Sequence, residues 1–535
     1  MKKLLFISIA VLVFGALFTN AQNRKGIIKA SSTDAIVETS SGTVAGYQED
    51  NIYVFKGLPY AQAERFMPAE PAKWEGVRST RSHGPVCPQN FWWQRSNDAS
   101  TFMNQFPPTW QDEDCMRMNI WTQGLGDGKK RPVMFYIHGG GYVNGSGHEM
   151  PRYDGMNMAI KGDVVAITVN HRLNILGFLD LSEYGEEYKL SANNGILDLV
   201  AGLQWVRDNI EKFGGDPNNV TIYGQSGGGG KVTALLASPY AKGLFHKAIV
   251  QSGSLLTVGE SKQSKLVAKK LFEVLNLEDG DIEGLRKLSW KELDKAGSQA
   301  LKEMGEGGMR SGWGPKMDGD FLPTQPFSPT APEISKDIPL MVGSTAHEFA
   351  MSGYIPNAKN MSIDEIKKLL KRTYGDNTDK YIEIFAKTHP DYKPIDLLDV
   401  DVRFRPGVIK QADLKAEQNG APVYRYLFTW ESPLMDSSMR SSHNLDIPFL
   451  MNNAYNSRHL LGGGEETYIL ADRMSSAWLS FAKTGNPNNP DLPIEWEPYT
   501  MEKGATIIFN NDLEIKYNHD RELIEFVNKI GKGGF

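Results

Sequence analysis

One short run, Val220 to Gly230, restricts the possible folds of this chain more than any other stretch. Val220, Thr221, Ile222 and Tyr223 are β-branched or aromatic, as in a buried strand, and the run stops at Gly224, Gln225, Ser226, Gly227 and Gly228. That is the G-x-S-x-G pattern of a nucleophile elbow, in which a strand passes into a helix through a turn tight enough to strain the serine backbone. Glycines on either side remove the β-carbons that would collide there. The serine hydroxyl is left at the end of a sheet, beside the amides of a helix N-terminus.

The flanking sequence agrees with an α/β architecture. Pro132 to His138 reads as a buried strand ending in Gly139, Gly140 and Gly141; Val164 to Val169, His246 to Gln251, Leu340 to Ser344 and Val423 to Phe428 read as further strands. Between them lie helical patterns over Ile196 to Phe213, from Gly229 to Leu236, and over Leu266 to Leu275, Ile363 to Tyr374 and Tyr468 to Thr484. This alternation predicts a mostly parallel sheet covered on both faces. Short alternating segments, Thr43 to Tyr47, Tyr53 to Phe55, Gly57 to Ala61 and Met116 to Trp121, predict an antiparallel N-terminal section. No repeat or low-complexity linker divides the chain, so residues 22–535 are expected to form one large domain with long insertions.

Residues 1–21 are expected to lie outside that domain. Two lysines, the apolar run Leu4 to Phe18 and then Thr19, Asn20 and Ala21 give the charged, apolar and small-residue order of a secretory signal peptide cleaved after Ala21. The apolar run is about 15 residues against roughly 20 for a membrane-spanning helix, which argues against an anchor. The expected location is therefore periplasmic or extracellular, with no stable membrane insertion. In an oxidising compartment Cys87 and Cys115, the two cysteines of the chain, are expected to form a disulfide. The aromatic stretches Asn90 to Arg95 and Phe106 to Trp110 between them are expected to wall a pocket. A net charge of -6 with scattered basic residues gives no nucleic-acid surface.

A serine nucleophile needs a base to take its proton, a carboxylate to orient the base, and amide donors for the developing oxyanion. His138 with Gly139, Gly140 and Gly141 supplies an oxyanion loop of HGGG type directly after a strand. The histidines after Ser226 are His246, His347, His389, His443, His459 and His519; His443 stands out, in a loop-like stretch anchored by Ile447 to Leu450. For the acid, Glu348 stands just past a strand end, with Asp318 and Asp320 as competitors. Two rival classes fit the sequence less well. A phosphate loop over Gln225 to Val232 lacks the glycine at 225 and the Ser or Thr at 232 that it requires. A catalytically inactive binding protein would usually have lost one of the three groups.

The ordered motifs resemble the type-B carboxylesterases, a family that includes carboxylesterases, cholinesterases and bacterial para-nitrobenzyl esterases. The resemblance runs from about Gly42 to Trp496 through Arg65 to Pro68, Glu113 to Cys115, His138 to Gly141, Asn170 to Arg172 with Gly177 to Leu179, Trp205 through Phe213 to Pro217, Gly224 to Gly228, Met317 to Gly319, His347 with Glu348, and His443. It implies an α/β-hydrolase fold, a small-molecule ester as substrate, and no metal or organic cofactor. It also implies Ser226 as nucleophile, Glu348 as acid, His443 as base, and oxyanion donors from the backbones of Gly140, Gly141 and Gly227. A disulfide between Cys87 and Cys115 and ion pairs Arg65 with Glu113 and Arg172 with Asp198 are implied as well. This sequence departs from the family's Gly-Glu-Ser-Ala-Gly at two positions, Gln225 and Gly227. The first removes a negative charge beside the nucleophile and argues against cationic esters. Positions resembling the family's acyl-pocket wall fall at Met309 and Ser311, before Trp313, where a serine implies a roomier acyl site.

Overall fold

A computed structural model describes residues 26–90, 102, 105, 109–305 and 312–530. The expectations for residues 1–21, 91–95, 106–108, Met309 and Ser311 lie outside these. Twelve strands form one sheet: β1 (Ile28–Lys29), β2 (Tyr47–Glu49), β3 (Ile52–Pro59), β4 (Arg117–Thr122), β5 (Arg131–Ile137), β6 (Val165–Val169), β7 (Gly215–Gln225), β8 (Lys247–Gln251), β9 (Leu340–Thr345), β10 (Val423–Phe428), β11 (Thr506–Phe509) and β12 (Glu514–Lys516). Their spatial order is β1-β2-β3-β4-β6-β5-β7-β8-β9-β10-β11-β12. Neighbours from β6 to β11 run parallel. The N-terminal strands and β12 pair antiparallel.

The parallel strands carry apolar residues on both faces because both faces are covered. Along β5, Val133, Phe135 and Ile137 enter one core, shared with Leu199 and Leu203 of helix α1 (Asn194–Asn209) and Val232 of α2 (Gly227–Ala237). Met134 and Tyr136 enter a second core on the other face. Helices α3 (Ile363–Tyr374) and α4 (Thr378–Thr388) form a third, smaller core with Leu523 and Val527. Helix α5 (Arg405–Glu417) packs on β9 and β10, and α6 (Glu465–Thr484), carrying Trp478, covers the second core. This is the α/β-hydrolase architecture expected. No helix among the described residues is long and apolar enough to cross a membrane.

The predicted elements recur with shifted ends. Helix α1 stops at Asn209 and continues as a 3-10 turn to Phe213, where left-handed Gly214 ends it. Strand β7 begins at Gly215 rather than Val220, its register slipping between Arg131 and Val133 of β5. Strands β11 and β12 had no prediction. The implied ion pairs are both present: Arg65 meets Glu113, and Arg172 Nη2 lies 2.7 Å from Asp198 Oδ1 in full burial.

The predicted disulfide is corrected. Cys87 and Cys115 are both free and buried. Cys87 Sγ accepts a hydrogen bond from Leu173 N at 3.2 Å, and a hydrogen bond to Cys87, together with burial, holds the Cys115 thiol well above its ordinary pKa. The two sulfurs therefore act as packed, hydrogen-bonded thiols within the first core.

Candidate active site

Strand β7 delivers Ser226 to the C-terminal edge of the sheet, and α2 begins at the next residue. Ser226 has φ 58° and ψ -125°, the strained turn that G-x-S-x-G predicts. The turn is pinned from both sides: Ser226 N donates to Gln251 O at 2.8 Å, and Ser226 O accepts from Gly230 N at 3.0 Å. Gly228 is obligatory here, because a β-carbon on it would run into the carbonyl of Ile137.

The loop after β5 lies directly against this turn. A β-carbon on Gly139 would sit 3.3 Å from Ser226 Cβ, and one on Gly227 would overlap the Gly141 backbone. Gly140 and Gly141 have φ of 86° and 64°. Such a backbone presents amides that no strand or helix uses, next to the elbow.

Glu348 and His443 converge from the ends of β9 and β10. Glu348 is buried, with φ 38°, and its carboxylate accepts from Thr345 N at 2.9 Å, Ser252 Oγ at 2.6 Å and His443 Nδ1. The two loops are joined through the main chain as well, by an isolated bridge between Glu348 and Ser442 and by His443 N donating to Glu348 O at 2.7 Å. A carboxylate only accepts, so Nδ1 carries the proton and Nε2 of His443 remains a base.

The imidazole faces are also occupied. Phe349 and Phe404 stack on it with centroids at 4.6 and 5.1 Å, and Arg403 lies over both phenyl rings. Gln225 Nε2 is 3.3 Å from Nδ1 and 3.2 Å from Nε2. Equal distances put that amide over the ring face, since in the plane Cε1 would intervene. Two further carboxyls stand behind: Asp446, held by Tyr426 Oη and Gln251 Nε2, and Asp401, which caps the start of α5. Burial, then the charge of Glu348, raises both to about 6. A serine at a strained elbow, a loop of glycine amides beside it and a carboxylate-bound imidazole together have the parts for proton abstraction and acyl transfer.

The other candidates go elsewhere. His246 Nδ1 accepts from Val220 N; half-buried His347 lies against Arg440; His389 and His519 flank Asp520; His459 stands in the short helix Arg458–Leu461, beside Arg152. Asp318 bonds Asn193, and Asp320 pairs with Lys189. Sequence reasoning missed Ser252, Phe349, Phe404, Asp401 and Asp446. Ser252, directly after β8 with φ 47°, carried one readable sign, its position at a strand end beside the elbow.

Comparison with known proteins fits this geometry. A sequence model of the carboxylesterase family matches residues 33–527. The chain is 34% identical over 501 residues to the para-nitrobenzyl esterase of Bacillus subtilis (strain 168), covering 92% of this chain and 98% of that protein. It is 32% identical over 498 residues to the phenmedipham hydrolase of Pseudarthrobacter oxydans, covering 90% and 96%. Among solved structures, an esterase from Clostridium hathewayi described as able to hydrolyze aliphatic aromatic polyesters superposes with TM-score 0.84 at 38% identity, covering 94% of this chain and 99% of the other. A carboxylesterase of Geobacillus stearothermophilus superposes with TM-score 0.74 at 34% identity, covering 91% and 99%.

Proposed function

This chain belongs to the carboxylesterase family and is a carboxylic ester hydrolase, and from that premise we propose that it is an exported serine esterase in which Ser226 is the nucleophile, His443 the general base and Glu348 the orienting acid. The backbone amides of Gly140, Gly141 and Gly227 act as the oxyanion donors. The observation that carries the reading is the hydrogen bond of His443 Nδ1 to buried Glu348, with Gln225 of the strained Ser226 elbow against the same ring.

In this reading His443 Nε2 takes the Ser226 proton as Oγ attacks the ester carbonyl. The negative charge that develops on the carbonyl oxygen meets the three amides, and the alcohol leaves with the proton from His443. Water, deprotonated in turn by His443, attacks the acyl-enzyme; the acid is released and the proton returns to Ser226. Among the described residues the Ser226 hydroxyl makes no hydrogen bond, so substrate entry must bring Oγ and Nε2 into line.

The substrate class is uncharged esters. Support comes from the neutral Gln225 amide over the His443 ring and from the half-exposed phenyl of Phe349 beside it. Relatives described as acting on para-nitrobenzyl esters and aliphatic aromatic polyesters point the same way. Export rests on the charged, apolar and small-residue order of residues 1–21; the mature N-terminus should then read from Gln22.

A fluorophosphonate probe tests the assignment directly. Peptide mapping of the labelled protein should place the adduct on Ser226, and an adduct elsewhere, or none, rejects the reading. A panel pairing neutral esters with trimethylammonium analogues then tests the substrate class; equal or faster turnover of the cationic esters rejects it.

A further inference from the structure

We propose that Lys231 is a positioning residue for the oxyanion hole: from inside the helix that follows the nucleophile, its ammonium holds the His138 carbonyl and so ties the glycine loop to the elbow. The proposal rests on the assignment of Gly140, Gly141 and Gly227 as oxyanion donors.

Lys231 lies in the second turn of α2 and is fully buried. A lysine in a helix normally reaches solvent, because an ammonium taken out of water is costly unless it is paired. Here Nζ donates to His138 O at 3.1 Å, and the Tyr142 ring centroid lies 5.9 Å away. Among the described residues no carboxylate lies within ion-pair distance of it. Burial pulls the lysine down to about 7, with Glu149 and Cys87 acting weakly the other way. The rings of His138 and His171, stacked at 5.0 Å, share the nest and are held well below the ordinary histidine value by burial and by Lys231 itself. A structural lysine would be expected to find a carboxylate; this one finds a single backbone carbonyl.

That carbonyl is the one that matters for the loop. His138 directly follows β5 and precedes Gly139, Gly140 and Gly141, which have no side chains by which to be held. The far end of the loop is fixed by Gln89, whose side chain both accepts from Gly145 N at 2.7 Å and donates to Gly145 O at 3.0 Å. Its middle is fixed by Asn144 N donating to Gly140 O at 3.2 Å. Lys231 supplies the anchor at the near end. Because it rides on α2, whose first residue is Gly227, one hydrogen bond joins both sources of oxyanion donors into a single rigid unit. Misplacement of such donors is felt in the transition state rather than in substrate binding.

The test compares Lys231→Met, which keeps the stem without a donor, with Lys231→Gln, which keeps a donor without the charge. A para-nitrophenyl ester gives kcat and KM, and a trifluoromethyl ketone, which forms a tetrahedral oxyanion on the serine, reports the hole itself. Lys231→Met should lower kcat by roughly 10- to 100-fold with KM nearly unchanged, the scale for a displaced catalytic group. It should weaken the ketone by the same factor, and Lys231→Gln should recover part of both. Wild-type kcat in folded Lys231→Met overturns the proposal, as does lost kcat with undiminished ketone affinity and no recovery in Lys231→Gln. If Lys231→Met does not fold, Lys231→Ser, too short to reach the carbonyl, takes its place in the same comparison. An active Ser226→Ala variant would instead reject the functional reading on which the proposal stands.

Discussion

The backbone of Gly141 occupies the space that a β-carbon on Gly227 would need, with the Gly141 carbonyl carbon and Cα both 2.6 Å from that point. The departure from alanine at the second elbow position is therefore matched by a loop that closes on the elbow. Gly227→Ala must push the two apart, and with them the amides of Gly141 and Gly227. The expected result is a loss in kcat of roughly tenfold to a hundredfold with little change in KM. Steady-state kinetics on a para-nitrophenyl ester decides it, and an undiminished kcat would show that the loop yields freely.

The Glu348 carboxylate collects Ser252 Oγ, Thr345 N and His443 Nδ1, so it is built to hold one tautomer of one ring. Ser226→Ala should reduce ester hydrolysis by at least roughly a thousandfold, and Glu348→Gln should cost a comparable factor. Groups acting as one unit do not add. The double variant should be no slower than Ser226→Ala alone, and a multiplicative loss would mean that Glu348 acts outside the unit.

Phe349 and Phe404 fix the plane of the His443 ring, yet Phe349 is 46% exposed. Removing it leaves little cavity. Phe349→Ala should lower kcat several-fold while shifting the thermal midpoint by no more than a few degrees, the scale of about 1 kcal/mol or less. A large fall in melting temperature with kcat intact would assign the ring to stability.

Acid stability should trace to a second pair of rings. His83 and His148 stack at 4.4 Å, His83 at the surface and His148 half-buried; partial desolvation lowers them to about 4 and about 3, with Lys56 and, for His148, the His83 ring adding to the effect. Both folded values lie below the unfolded value of about 6.5, so the unfolded chain binds more protons between them. The stability, carried mainly by the half-buried His148 because water screens the exposed His83, is present above about 6.5 and is lost as pH falls toward 4 and 3. His148→Phe keeps a ring for the stack and removes one titration. Its melting temperature should fall less steeply than wild type from pH 6.5 to 4, and an equal slope would place the acid sensitivity elsewhere.

Much of this site could be read from the chain because its strongest signals are local. Ser226 announces itself through neighbours two residues away, His138 to Gly141 through a strand that stops at glycines, and Glu348 through its place past Thr345. His443 stood out only through the apolar anchor Ile447 to Leu450, a weak local signal, and the family resemblance decided it. Ser252, Phe404, Asp401 and Asp446 reach Glu348 or His443 from sequence distances that no periodicity records. Lys231 is hidden for another reason: in an isolated helix its charge reads as a solvent face, and only the packed loop shows otherwise. Strand β11 was overlooked because Thr506 to Phe509 is four residues long between polar flanks, too short for an alternation to register. The cysteines misled through compartment logic, which says where disulfides persist and nothing about whether two particular thiols are oxidised.

The Ser226 elbow, Glu348 and His443 hang from β7, β9 and β10, three strands drawn from widely separated parts of the polypeptide. On a ribosome this spacing becomes a delay. Ser226 emerges 217 residues before His443, on the order of 10 to 40 seconds at ordinary rates of synthesis. On the proposed assignment the nascent chain holds a nucleophile without its base throughout that interval, so a product truncated before His443 would be inert and hydrolysis would begin only once most of the polypeptide is made.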